Sequence, residues 1–186
     1  MRIFGIDPGS ERTGYGCVET DGRITRLVMC GAVTALATEG FPQRLARIHR
    51  ELVGFLTQCE PDCVAIESLF YAANVRSALK LGHARGVAML AAVETGCPVV
   101  EYTPAEIKRA VVGYGRADKN QVQQMIKLLL GLKQAPSPHD AADALAVAIC
   151  HLHSLPPKFR VPDAGSRIPD VPKARTWRQY RPPANG

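Results

Sequence analysis

No apolar run in this chain approaches the roughly 18 residues that suggest a membrane-spanning helix, so no membrane association is expected. The opening Met1-Arg2-Ile3-Phe4-Gly5-Ile6-Asp7 is too short and too polar for the apolar region of a secretory signal, which points to the cytoplasm. No C-x-x-C pair occurs among Cys17, Cys30, Cys59, Cys63, Cys97 and Cys150. Cys59 and Cys63 have zinc-like spacing, but no second ligand pair follows, and His151 and His153 beside Cys150 lack partners too. Reduced, mostly buried thiols are therefore expected rather than a structural metal or a disulfide framework. No internal repeat is visible. Net positive charge is also scarce outside the C-terminal segment. From Pro157 onward, Lys158, Arg160, Arg167, Lys173, Arg175, Arg178 and Arg181 against Asp163 and Asp170 account for +5 of the net +6. The remainder is nearly neutral, so any polyanion it binds must meet a local patch rather than a global field.

What is present suits one globular domain. The chain has 186 residues, of which 46% are hydrophobic and 22% charged, enough to build a core. Residues 2–7 read as a short buried strand ending in an acid, followed by the turn Pro8-Gly9-Ser10. Thr13–Thr20 and Ile24–Val33 read as strands joined at Asp21-Gly22, a hairpin signal. Phe41-Pro42 opens a helix in which Leu45, Ile48, Leu52 and Leu56 recur at helical spacing until Pro61. Cys63–Glu67 is a continuous apolar run ending in an acid, as expected of a strand covered on both faces. Arg76–Thr95 reads as a long helix whose Gly82 and Gly86 permit close packing. Val99–Tyr102 is a short strand, and Thr103 caps a helix begun by Pro104 and interrupted at Gly113 and Gly115. Lys119–Leu132 and His139–His153 are helices, the second with Ser137 as N-cap and Pro138 at its first position. The order predicts an α/β fold, a mixed sheet with helices on both faces. Beyond residue 155, seven prolines mixed with basic residues predict a flexible tail over 156–186.

Four acids carry the chemistry. Asp7 and Glu67 end strands that should be central, where sites form in open α/β sheets. Asp140 and Asp143 lie three apart in a helix that is otherwise apolar, so they share one face of a buried element. A carboxylate at the N-terminus favours the helix dipole, which accounts for Asp140. It accounts less well for Asp143, because two adjacent buried carboxylates repel and the helix supplies no Lys or Arg beside them. A divalent cation relieves both problems. Four oxygen donors without a Cys or His set suit Mg2+, and two such ions roughly 3.5–4 Å apart would activate a water and stabilise the leaving 3′ oxygen. His139 is a further candidate ligand, or an exposed cap residue.

Five segments together make the sequence resemble the RuvC-type Holliday junction resolvases from about residue 1 to 153. They are Gly5-Ile6-Asp7-Pro8-Gly9-Ser10, Ala65-Ile66-Glu67-Ser68-Leu69-Phe70, Ser77 through Gly86, Val111-Val112-Gly113 with Ala117-Asp118-Lys119, and His139 through Ala146. The resemblance implies a ribonuclease H-like fold with a five-stranded sheet, making 1–155 a nuclease domain. It implies a homodimer that uses Mg2+, with Mn2+ able to substitute. The expected reaction nicks two strands of a four-way DNA junction symmetrically, leaving 5′-phosphate and 3′-hydroxyl ends. The family's catalytic and metal-binding acids fall on Asp7, Glu67, Asp140 and Asp143. Phe70 matches an aromatic that stacks on unpaired bases, with Tyr71 beside it. Lys108 and Lys119 match basic residues near the phosphates, and Arg76 and Lys80 are further candidates for DNA contact. A branch-migration motor of the RuvA–RuvB type is the implied partner.

Three rival readings are weighed against this one. An actin-like kinase needs a second phosphate loop and two larger lobes, and neither is found. Another ribonuclease H-like nuclease would not need the segments around Phe70 and Lys119. A junction-binding module without catalysis leaves four DNA-repelling acids unexplained.

Overall fold

In the computed structural model, residues 1–36, 38–68 and 74–156 are described. Phe70, Tyr71 and residues 157–186 lie outside the described residues. Three antiparallel-linked strands come first: β1 (Arg2–Asp7), β2 (Arg12–Thr20) and β3 (Thr25–Thr34). Then follow α1 (Phe41–Cys59), β4 (Cys63–Glu67), α2 (Val75–Glu94), β5 (Val99–Tyr102), α3 (Pro104–Val112), α4 (Lys119–Leu129) and α5 (His139–Ser154). The sheet order is β3-β2-β1-β4-β5, with β1 parallel to β4 and β4 parallel to β5. This is the mixed five-stranded sheet that the element order predicts.

Side-chain alternation decides which residues meet which helices. On β1 and β4, Phe4, Ile6, Val64 and Ile66 share a core with α1 and α2. Ile3, Cys63 and Ala65 face the other way, into the core built around α5. Asp7 and Glu67 continue this second series, so both acids end on the α5 face. On α1, Ile48, Leu52 and Leu56 are fully buried, each worth about 1.5–3 kcal/mol of apolar transfer.

α5 lies against β1 and β2 at backbone contact. A Cβ on Gly5 would fall 2.0 Å from the carbonyl oxygen of Ala144, and one on Gly14 would fall 2.0 Å from that of Asp140. A Cβ on Gly16 would strike the Leu145 side chain at 2.7 Å. Gly5 pairs with Gly16, and Gly14 pairs with Asp7, so these glycines form a crease across neighbouring strands. The helix sinks into it, and every residue from Ala144 to Leu152 is buried.

Some local expectations need correction. Ser137 is not the N-cap of α5. The helix starts at His139, Pro138 occupies the cap position, and no side-chain cap bond forms. α4 ends at Leu129 rather than Leu132, because Gly131 adopts a left-handed φ of 61° and turns the chain out. Thr103 does cap α3, within a reciprocal box with Glu106, and Asp118 and Gln121 form the same motif on α4. Gly82 and Gly86 pack against no other element of the chain among the described residues. The six cysteines are all free thiols.

Candidate active site

The site lies at the carboxyl ends of β1 and β4, under the N-terminal half of α5. Asp7 and Glu67 sit one step beyond the paired residues Ile6 and Ile66, and their carboxylates are within hydrogen-bonding reach of each other. Thr13, fully buried on β2, donates to the Gly9 carbonyl (2.8 Å) and accepts from the Gly9 N–H (3.3 Å). It thereby pins the turn that follows Asp7. Asp143 projects from α5 into the same cavity of about 260 Å3, which Lys108 and Lys119 also line. A neighbouring cavity of about 550 Å3, bounded by Pro8, Leu81, Pro104 and Ala105, opens onto Asp7, Glu67 and Lys108.

Asp140 is placed differently. One turn earlier on α5, it lines a separate groove and is held by Arg12 (Nη1 to Oδ2, 3.3 Å). Asp143 is held by Lys119 (Nζ to Oδ2, 3.4 Å). Arg12 is absent from the sequence-based site, yet alternation could have found it. Arg12, Gly14, Gly16 and Val18 occupy one face of β2, and that face meets α5. His139 is exposed at the first turn of α5. Lys80 stands 6.0 Å from the centroid of the Phe41 ring on α1. Neither Lys80 nor Arg76 lines the two cavities around the acids.

The electrostatics follow from this crowding. Burial, then the negative charge of Glu67, push the Asp7 carboxyl up to about 8. Burial raises Glu67 as well, partly offset by its hydrogen bond with Asp7 and by Lys119 and Lys108. Burial raises Asp143 against the opposing pull of Lys119. The amine of Lys119 is raised in turn, chiefly by Asp143. Among the described residues, no three Asp, Glu, His or Cys side chains are already gathered into a metal cage. Instead, burial and Glu67 hold Asp7 toward its neutral form, Lys119 pairs with Asp143 and Arg12 pairs with Asp140. Ionised together, these oxygen donors need added positive charge, and a hard divalent cation fits that need.

This predicts an unusual pH dependence of stability without metal. A carboxyl whose folded-state pKa is raised contributes stability below its unfolded value of 3.8 and loses it as pH rises through about 8. Carboxylates held low by hydrogen bonds, such as Asp21 and Glu106, act oppositely only in the acid range. In EDTA, the unfolding free energy from urea titrations should fall between pH 5 and pH 8, by up to about 1.4 kcal/mol per pH unit for each retained proton. Mg2+ should largely restore it at pH 8. A flat profile in EDTA would contradict the clustering.

Comparison with known proteins accords with this geometry. Residues 3–151 match the family described as crossover junction endodeoxyribonuclease RuvC. The chain is 54% identical over 155 residues to the protein of that name from Koribacter versatilis, covering 83% of this chain and 93% of that one. It is 49% identical over 184 residues to the one from Trichlorobacter lovleyi, covering 98% and 100%. The Thermus thermophilus RuvC structure superposes with a TM-score of 0.76 at 38% identity, covering 82% of this chain and 94% of that one. The T. thermophilus RuvC complex with Holliday junction substrate gives 0.75 at 36% identity, with the same coverage. The chain belongs to the RuvC family of crossover junction endodeoxyribonucleases.

Proposed function

We propose that this chain resolves Holliday junctions by Mg2+-dependent, symmetric nicking of two strands during recombination and repair, leaving ligatable 5′-phosphate and 3′-hydroxyl ends. The observation that carries the reading is the convergence of Asp7, Glu67 and Asp143 on one cavity with Lys108 and Lys119, and Asp140 a turn away on α5. The four acids would hold the cation or pair of cations. When bound, Mg2+ would supply Lewis acidity and charge neutralisation at the phosphodiester, and Mn2+ could do the same. The carboxylates orient the attacking water. Lys108 and Lys119 hold the strand phosphates, while Phe70 and Tyr71 stack on unpaired bases, each stack worth about 1–3 kcal/mol. Arg76 and Lys80 contribute weaker contacts from the start of α2.

A four-way junction has approximate two-fold symmetry and requires two cuts, so a C2 dimer suits it. α2 is the proposed interface. Val75, Leu79, Gly82, Gly86, Leu90 and Val93 form an exposed stripe along it at spacings of three and four. The glycines leave room for a second copy's backbone, and a stripe of exposed apolar side chains favours association. Leu79→Glu, at a position 59% exposed in the single chain, should sediment as a monomer and lose paired nicking while remaining folded. A Leu79→Glu protein that is still dimeric would remove α2 from the interface.

Residues 156–186 are proposed as a separate basic tail adding sequence-independent DNA affinity. A branch-migration motor of the RuvA–RuvB type is the proposed partner, and the cytoplasm the proposed location. Among the described residues, no helix is long and apolar enough to cross a membrane. The function is tested with a labelled mobile four-way junction, a linear duplex and an RNA–DNA hybrid, each with Mg2+ and with EDTA. Paired nicks in the junction alone, dependent on Mg2+, are expected. Equal cutting of the linear duplex would sink the proposal.

A further inference from the structure

The acids are bracketed by positive charge on two sides. Lys108 and Lys119 border the cavity shared by Asp7, Glu67 and Asp143. A second groove of about 520 Å3 adjoins Asp140 and is lined by Glu11, Arg12, Thr34, Ala35 and Arg44. Cutting an internal phosphodiester requires the strand to enter and to leave the site. A basic flank on one side alone would leave the departing phosphates to run past acids without compensation. Arg12 is half exposed and spends one N–H on Asp140, through a single 3.3 Å contact rather than a two-pronged one. Its side chain makes no other hydrogen bond among the described residues, and a guanidinium has five donors. Arg44 donates its Nε to the Glu39 carbonyl (3.0 Å), leaving its terminal nitrogens without a hydrogen bond among the described residues.

We propose that Arg12 and Arg44 form a phosphate-binding flank for the DNA strand on the Asp140 side of the cut, with Arg12 exchanging its contact from Asp140 to a strand phosphate. The inference rests on the four acids being the cutting centre. Physically, Arg12 neutralises Asp140 in the resting protein. When cation binding takes over that task, the hold on the guanidinium weakens, and a phosphate offers it the charge-assisted, two-pronged contact that Asp140 does not. Glu11 on the rim opposes phosphate entry, so the flank works through the two arginines together.

The test measures junction binding against salt in the full chain with all four acids intact, with Ca2+ in place of Mg2+ to occupy the acids while slowing turnover. Arg12→Gln and Arg44→Gln should each reduce the slope of log affinity against log salt by about 0.9, as expected for one lost phosphate contact. Over a fourfold rise in salt, each substitution should then reduce the affinity loss by about 3.5-fold. Arg12→Lys should retain the slope. Arg26→Gln, beside Asp21 at the far hairpin, should leave it unchanged. A second readout replaces single phosphates flanking the cut with neutral methylphosphonates. A position on one side of the cut should weaken binding of the protein with Arg12 intact and have no effect on the Arg12→Gln protein. Unchanged slopes for both arginine variants, or equal sensitivity at every neutralised position, would overturn the flank. Failure of the cutting-centre assignment would be seen separately, as nicking by an Asp7→Asn protein with Mg2+.

Discussion

Asp7→Asn should abolish nicking, by about three orders of magnitude or more, and at the same time make the metal-free protein more stable. The first effect follows from position. Asp7 is the acid placed to interact with all the others: Glu67 within hydrogen-bonding reach, and Asp143 and Asp140 near enough to repel it. Removing one charged group from a preorganised electrostatic site commonly costs 10²–10³-fold, and this group is also proposed to hold the cation. The second effect follows from the cost of the charge. An amide of the same shape has no ionised form to desolvate and no repulsion from Glu67, so the EDTA midpoint at pH 8 should rise and its pH dependence should flatten. Junction binding should persist, because the phosphate contacts are proposed to come from the lysines and arginines. A gel assay for nicking and binding, with urea titrations at pH 5 and pH 8, reads all three. Retained nicking would show that Asp7 is not part of the reaction.

Gly14→Ala should be severely damaging although it removes no chemical group. Its methyl would fall 2.0 Å from the Asp140 carbonyl oxygen, a backbone atom that cannot rotate away. The first turns of α5 must lift from β2. Overpacking of this kind costs about 1–3 kcal/mol. The functional loss should be larger, because Asp140 and Asp143 move with the helix, and a displacement of about 1 Å can cost about 100-fold. Circular dichroism should show native helix content while nicking falls about 100-fold or more. Activity within about twofold of the parent would mean that α5 has freedom the crease does not suggest. Gly54→Ala, on the outer side of α1 with nothing within 4 Å, is the matched control and should leave both properties intact.

Much of this architecture was legible in the residues, for definite reasons. Cys63–Glu67 and Val99–Tyr102 are read to the residue, because the first is an apolar run ending in an acid and the second lies between Pro98 and the helix start at Thr103-Pro104. The apolar surround of Asp143 announces a buried helix, and α5 is one. Less legible were features that depend on what faces what. Gly14 and Gly16 look like ordinary weak points in a strand until α5 is known to cross them. Arg12 looks like a surface residue after a turn until strand parity directs it to Asp140. Ser137 fits a cap by type, but the chain enters the helix one residue later. Gly82 and Gly86 suggest close packing, but no partner for them lies within the described chain. A single sequence displays helical period and strand alternation clearly. It does not display the depth at which two elements meet.

The depth of α5 in its crease also has a consequence for the order in which the protein comes into being. Synthesis runs from the N-terminal side, so β1, β2, β4 and the two strand-end acids emerge long before His139. Until α5 arrives, Ile3, Val18 and Ala65 on that sheet face lack their main cover, and Asp7 and Glu67 have no Asp143 to work with. A nascent chain is therefore a protein with a half-finished core and no blade. Setting the last helix in place completes both at once. Under the proposed function, a copy lacking α5 would have neither Asp140 nor Asp143 to cut with, and its sheet face would stay uncovered.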